Sequence, residues 1–315
     1  MGTLPLFDEP PAFDRAGLHR KLLELVQQKI WIGTSSWKYE GWLGQIYDYE
    51  RYSVRGKLSQ KRFEAECLTE YAETFPIVCG DFSFYQFPSE PYWRKLFASA
   101  PALRFAFKVP EEITVKAFPI HARYGPRAGE ANPSFLNAAL LEGAFLGLLE
   151  PYRGRIAVLI FEFGTLPKAT FVDAAAFVDA LDPFLASLPP TFRYAVEIRN
   201  EEFLVPEYFA CLRHHGIAHV FNAWTRMPAL ADQILLPDIY TADFTVTRAL
   251  LRRGRPYEDA VAKFSPYREI QDPNPATREA LRTLIAQAKE RNQPAYIFVN
   301  NRLEGSAPGT IEAIV

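Results

Sequence analysis

Glu197 and Arg199 stand two residues apart in the otherwise apolar run Tyr194-Ala195-Val196-Glu197-Ile198-Arg199-Asn200. On a strand, that spacing puts the acid and the base on one face, with Val196 and Ile198 on the other. A charge turned toward a protein interior is costly unless a partner or a ligand meets it. The same pattern, an apolar run ending in polar residues, recurs along the chain: Lys108, Glu162, Asn222, Arg248, Asn300 and Asn301 all stand at such ends, and Asp81 lies in another such run. Together they could clamp an anionic group through Lys108, Arg199 and Arg248 while a carboxylate, Glu197 or Glu162, moves a proton. Asn300 and Asn301 would orient the substrate. Asp81, Tyr85, Thr34 and Trp37 complete the candidate set. A charge ladder that merely closes one end of the fold is the competing structural reading, although buried ionisable clusters tend to mark function.

Such a set needs elements that bring distant segments to one place. Strand-like runs are expected at residues 30–33, 77–83, 104–109, 156–162, 193–197, 218–222, 241–248 and 296–300. Helical patterns occupy 15–28, 60–75, 91–98, 135–150, 169–186, 206–215 and 275–291, with a weakly periodic segment at 228–236. Near-continuous apolar strands alternating with helices predict an α/β protein whose parallel sheet is covered on both faces. Eight units predict a closed (β/α)8 TIM-type barrel, in which the site lies at the carboxyl ends of the strands. Residues 1–28 read as an N-terminal extension carrying a helix, and residues 29–315 as one barrel domain. The Pro- and Gly-rich stretch 117–133 reads as a long loop over the catalytic face, a common place for a lid.

Composition narrows the chemistry. The 315 residues are 49% hydrophobic with a formal net charge of −2, which permits a large core and argues against a general nucleic-acid footprint. The basic residues Arg252, Arg253, Arg255, Lys57, Lys61 and Arg62 could still contact phosphates, but solvated surface charge is the simpler account. No apolar run approaches the ~20 residues of a bilayer span, and residues 1–11 lack a signal-peptide pattern. Cys67, Cys79 and Cys211 are far apart without metal-ligand spacing, consistent with reduced thiols in the cytoplasm. None of the five histidines falls at an expected strand end, so a multi-histidine metal site is not expected. No cofactor motif is evident, since neither GxGxxG nor GxxxxGK[ST] follows a strand. A carboxylate-bound Mg²⁺ needs only one or two acids and stays compatible with the pattern. No nucleophile elbow is present. The aromatic run Trp37, Tyr39, Trp42, Tyr47, Tyr49 and Tyr52 reads as loop packing before a sugar- or base-stacking surface.

The chain also resembles a known family. Ile32-Gly33-Thr34-Ser35-Ser36-Trp37-Lys38-Tyr39 with Trp42 is similar to the opening motif of the YecE-like proteins, domain of unknown function 72. Phe84-Tyr85 with Pro88 and Trp93, then Phe105-Ala106-Phe107-Lys108-Val109-Pro110, resemble its second block. Ala195-Val196-Glu197-Ile198-Arg199 and Phe298-Val299-Asn300-Asn301 with Glu304-Gly305 resemble its third and last. The resemblance implies a barrel and an uncharacterised activity. Within it Lys108, Glu197, Arg199, Arg248, Asn300 and Asn301 are retained. Departures fall at Cys79 and Asp81 (usually Glu and Asn), Glu162 (usually Gln), Asn200 (usually His) and Leu250-Leu251, where the family has His-Gly. The residues alone leave three readings: an enzyme for a small anionic, phosphorylated or sugar-like substrate, a nucleic-acid-binding or nuclease-like barrel, and a barrel that holds a ligand without turnover.

Overall fold

A computed structural model describes residues 13–315; residues 1–12 of the expected N-terminal extension lie outside the described residues. Eight strands, β1 (Ile30–Thr34), β2 (Ile77–Gly80), β3 (Arg104–Lys108), β4 (Ile156–Glu162), β5 (Tyr194–Glu197), β6 (Ala218–Ala223), β7 (Thr245–Ala249) and β8 (Ala295–Val299), pair in parallel, and β8 pairs with β1 to close the barrel. The expected fold class is observed. Each strand buries both faces, which is why the runs read as continuously apolar. Cys79, Ala106, Ile160, Ala195, Val220 and Phe298 fill the barrel interior. Their neighbours Val78, Phe107, Phe161, Val196, Phe221 and Val299 face the helical layer.

That layer contains α1 (Arg15–Gln27), α2 (Gln60–Tyr71), α3 (Glu90–Ser99), α4 (Ala174–Ala186), α5 (Pro206–His214), α6 (Leu230–Ile234), α7 (Tyr257–Phe264), α8 (Pro275–Glu290) and α9 (Ala307–Ile314). Side chains of Asp14, Ser59, Asp173, Asn274 and Ser306 accept backbone N–H groups at five of the starts, as helix N-termini require. The helix α1 buries Leu18, Leu22 and Leu25, and Arg15 reaches Glu70 on α2 at 3.0 Å.

Several boundaries differ from the sequence reading, each for a local reason. The run at 77–83 is not one strand: β2 stops at Gly80 and Phe82–Tyr85 forms a helical turn. Phe82 folds against Trp93 and Phe107, and Ser83 Oγ donates to the Lys108 carbonyl at 2.7 Å, so the turn is fastened to the end of β3. The strand expected from 241 starts at Thr245. Thr241 Oγ1 accepts from the His219 N–H and donates to the Ile217 carbonyl, so a side chain stands where ladder bonds would be. The helix expected over 135–150 starts at Ala138, widens into a π turn at Glu142–Leu146 and tightens before Arg155. The helix expected from 169 starts at Ala174. The helices α7 and α9 were not expected; each is eight residues long, too short for a clear period. The loop over 117–133 is fastened by the Asn132 side chain, which donates to the Glu112 and Val115 carbonyls.

The seam between β1 and β2 has the fewest paired residues in the barrel. Only Thr34 and Val78 pair there, and a Cβ on Gly33 would stand 1.9 Å from the Ile77 carbonyl oxygen. Glycine is what lets the two backbones approach. Tyr71 on α2 bridges the gap: its hydroxyl accepts from the Thr34 N–H and donates to the Ile77 carbonyl, both at 3.0 Å.

His219 on β6 gives the fold a pH signature. It is buried among Phe209, Phe221 and Tyr208, and among the described residues only its Nδ1 has a partner, the Tyr208 hydroxyl at 3.1 Å. Burial pushes its pKa from 6.5 down to about 3. The unfolded chain takes up a proton below its ordinary pKa that the folded chain refuses. Stability present above that value is therefore lost as pH falls toward the folded value. His219→Leu is expected to flatten the decline of the urea midpoint between neutral pH and pH ~4, whatever its offset at pH 7. An unchanged slope would clear His219 of the effect.

Candidate active site

Side-chain parity carries six charges to one end of the barrel. Lys108, Glu162, Glu197 and Arg248 continue the inward positions occupied lower down by Ala106, Ile160, Ala195 and Val246. Glu162 and Glu197 are paired in register across β4 and β5, as are Asn222 and Arg248 across β6 and β7. Arg199 lies two residues past Glu197, and Asp81 two past Cys79, on the turn that follows β2.

Arg248 is the hub, with its side chain 2% exposed. Its Nη1 donates to Glu162 Oε2 at 2.6 Å and to Glu197 Oε2, and its Nη2 to Asp81 Oδ1 at 3.1 Å. Glu162 also meets Lys108 Nζ at 2.9 Å and Arg199 Nη2 at 2.9 Å. Arg199 in turn reaches Glu197 Oε1 at 3.2 Å. Two aromatic faces hold the cations from the rim: Lys108 Nζ lies 3.7 Å from the Phe84 ring centre, and the Arg199 guanidinium 3.8 Å from that of Trp224. The three cations and three carboxylates sum to zero.

Burial alone would push the Glu162 carboxyl up, but Arg199, Lys108 and Arg248 outweigh it and hold the group well below the carboxylate range. Burial likewise opposes the charge of Arg248, and Glu197, Asp81 and Glu162 overcome it, raising its pKa well above the usual value. One layer down, burial pushes the Cys79 thiol up to about 12, so it stays protonated and is no nucleophile at neutral pH. Three polar atoms around this layer are buried with no partner among the described residues: Arg248 Nε, Asn222 Oδ1 and Ser35 Oγ.

The structure brings Lys108, Glu162, Glu197, Arg199, Arg248 and Asp81 together. It does not bring the other candidates into the cluster. Thr34 faces outward, with Oγ1 against the Tyr71 hydroxyl and the Ser36 carbonyl, because it alternates with the inward Gly33 and Ser35. Trp37 is buried edge-on against Phe82. Tyr85 is 60% exposed, with the Arg123 guanidinium 5.0 Å from its ring centre. Asn301 Oδ1 accepts from Trp42 Nε1 and from the Ala307 N–H, tying the start of α9 to the first loop. Asn300 Oδ1 accepts from the Arg302 N–H. The aromatic run after β1 is packing: Trp42, Tyr47 and Tyr52 are buried, and Tyr47 and Tyr52 each stand edge-on to Phe63. Trp224 went unmarked in the sequence, and Phe84 was marked only within a family block, not as a site residue. Trp224 was detectable, since it stands two residues beyond Asn222. The basic residues after β7 meet acids: Arg252, Arg255 and Lys263 converge on Asp272, and Arg253 pairs with Glu201. Arg62 pairs with Glu66.

The fold and this cluster define a (β/α)8 barrel with a charged, partly accessible mouth at its strand ends. The chain belongs to the DUF72 family, proteins of unknown function, whose family model matches residues 31–315. Among solved structures, a DUF72 family protein from Thermotoga maritima MSB8 is 20% identical, with a TM-score of 0.60 over 90% of this chain and 96% of that one. One from Enterococcus faecalis V583 is 14% identical, with a TM-score of 0.56 over 90% and 94%. These likenesses support the fold. Among proteins with curated descriptions, none matches. No described helix is long and apolar enough to cross a membrane.

Neutralising Glu162 tests the network. Glu162→Gln would leave Lys108, Arg199 and Arg248 short of one anion, and breaking a buried ion pair in this way costs roughly 3–5 kcal/mol. The folded carboxyl has a depressed pKa, so its stabilisation is present above the unfolded value and is lost as pH falls below it. Urea titrations should therefore show the variant less stable at pH 7, and declining less steeply below pH ~5 than the wild type. Equal slopes would mean that Glu162 is not held by the three cations.

Proposed function

We propose that the barrel mouth is an enzyme active site for a small anionic, phosphorylated or sugar-like substrate, worked by acid–base chemistry. The observation that carries this reading is the graded exposure of the cluster. Glu197 is fully buried, Glu162 and Lys108 nearly so, while Arg199 and Asp81 have side chains 14% and 28% exposed. The accessible edge thus offers one cation and one carboxylate flanked by the faces of Trp224 and Phe84.

Because the cluster is neutral, an incoming anion must compete with a resident one. Asp81 is the weakest competitor, with one close donor at 3.1 Å from Arg248 and Lys108 only at 4.0 Å. The substrate anion would take the place of Asp81 on Lys108 and Arg248 and draw in Arg199. A released Asp81 is then free to exchange a proton with the substrate. In this reading Glu162 and Glu197 act from behind, holding the cations in position, and proton transfer shifts from them to Asp81. The unpartnered Arg248 Nε and Asn222 Oδ1 fit a bound polar molecule, since buried polar groups ordinarily find a partner. The three free, buried cysteines suit a reducing, cytoplasmic setting.

Calorimetry with inorganic phosphate and sulfate, followed by mass analysis after incubation with phosphorylated sugars and small carboxylic acids, tests the proposal. Lys108→Ala should weaken anion binding by about tenfold or more, as expected when a charge-assisted contact worth roughly 1.5–3 kcal/mol is lost. Asp81→Asn should bind anions more tightly than the wild type and convert none of the compounds the wild type converts. Unchanged anion affinity in both variants would sink the assignment. A tightly retained but unaltered compound would instead favour a binding protein without turnover.

A further inference from the structure

A second cluster lies in the helical layer, away from the mouth. Asp182 of α4 meets Cys211 of α5 and His215, the residue that closes α5 before the chain enters β6. It therefore sits toward the amino ends of the strands, the end of the barrel opposite the charged network. Cys211 and His215 are four residues apart, which on a helix stacks two side chains on one face. His215 Nε2 is 2.8 Å from Asp182 Oδ1, and Cys211 Sγ is 3.6 Å from the same oxygen. One ligating atom from each of the three residues lies within 4.8 Å of the other two. Around a tetrahedral zinc ion with Zn–N near ~2.0 Å and Zn–S near ~2.3 Å, neighbouring ligand atoms stand roughly 3.5 Å apart. Small side-chain adjustments suffice.

We propose that Asp182, Cys211 and His215 bind one divalent ion of the zinc class, with the fourth position open. The donor set decides the class: a thiolate and an imidazole beside one carboxylate suit Zn²⁺, whereas Mg²⁺ and Ca²⁺ take oxygen ligands. The site can be reached from solvent. Asp182 has a side chain 53% exposed, and a cavity of about 500 Å³, bordered also by Leu188, Tyr194 and Asp243, opens beside His215. Uptake exchanges the thiol proton, released to solvent, for a metal–sulfur bond; the imidazole gives up its Nε2 proton and is reprotonated at Nδ1 from solvent, so that the Nε2 lone pair and the Asp182 carboxylate both turn from each other to the ion. No redox step is involved. The ion would clip α4 to α5, the two helices on either side of β5 in the chain. Comparing cysteines with cysteines and histidines with histidines hides this site, because its helical pair is mixed and its third ligand lies 29 residues upstream of Cys211.

The metal alone is the probe. The full chain, stripped with chelator and held in a thiol-free reductant, is titrated with Co²⁺ and then with Zn²⁺. The expected result is one equivalent of cobalt per chain with a thiolate-to-cobalt charge-transfer band, displacement by zinc, and a thermal midpoint higher with zinc than in chelator. Cys211→Ser should abolish the band and Cys67→Ser should keep it. His215→Gln and Asp182→Asn should weaken uptake by about tenfold or more, since even outer-shell changes cost that much. Circular dichroism in chelator confirms that each variant is folded; if Cys211→Ser is not, the more exposed Asp182→Asn and His215→Gln decide. A wild-type chain that takes up no cobalt overturns the proposal. So does a band that survives Cys211→Ser, or uptake unaffected by both of the other substitutions.

Discussion

The architecture of the barrel mouth depends on one requirement: Arg248 is a permanent cation in a place almost closed to water. A guanidinium there needs anions within hydrogen-bonding reach, because its desolvation costs several kcal/mol. It has three, Glu162, Glu197 and Asp81, one from each of three strands or their following turns. Two of these acids need further cations, and Lys108 and Arg199 answer Glu162 and Glu197. The six residues are then mutually required. Their backbones must meet that need too: β2 must end at Gly80 so that Asp81 turns over the top, and the Ser83 hydroxyl anchors that turn to β3.

Fold stability is a weak reason for such a network. Replacing a buried ion cluster with apolar side chains of similar volume is often neutral or favourable, whereas removing one member is costly. The apolar layers beneath already supply a packed interior from Ile77, Val158, Ile160 and Phe298. The charges therefore restrict how the mouth can vary without adding much to the core. A set of cations with fixed positions at the strand ends suits the recognition of a ligand whose charge must be met at defined points.

Much of this was legible in the sequence, and the limits follow from physics. Eight apolar runs alternating with helical patterns point to a closed parallel barrel, because strands covered on both faces read as continuous hydrophobic segments. The same period-two logic put Glu197 with Arg199 and marked Lys108, Glu162 and Arg248. It failed at Thr34, where the inward position belongs to its neighbours Gly33 and Ser35, and at Asn301, whose amide oxygen caps α9. It also failed at the turn after β2, because Phe82 packs against Trp93 rather than continuing the strand. Strand boundaries set by side chains, as at Thr241, leave no periodic trace. Pairings across helices, such as Asp182 with His215, depend on packing that no local pattern encodes.

The cluster divides into four strand-borne members and two more accessible ones, and chain connectivity explains the division. Glu162, Glu197, Lys108 and Arg248 belong to strands, whose ladders hold each Cα in place. Asp81 and Arg199 sit just beyond strand ends, where no ladder partner constrains them, and they are the more exposed members. Arg199 gains a substitute constraint from the Trp224 ring. Asp81 has only the turn at Phe82–Tyr85, held by aromatic contacts and the Ser83 bond. Freedom to move is thus concentrated in one carboxylate at the water-facing edge. The electrostatic field around it is set by groups anchored on strands and, for Arg199, against the Trp224 ring. Under the proposed acid–base reading, that one adjustable acid is the group placed to move a proton, and the fixed charges around it set the field it works in.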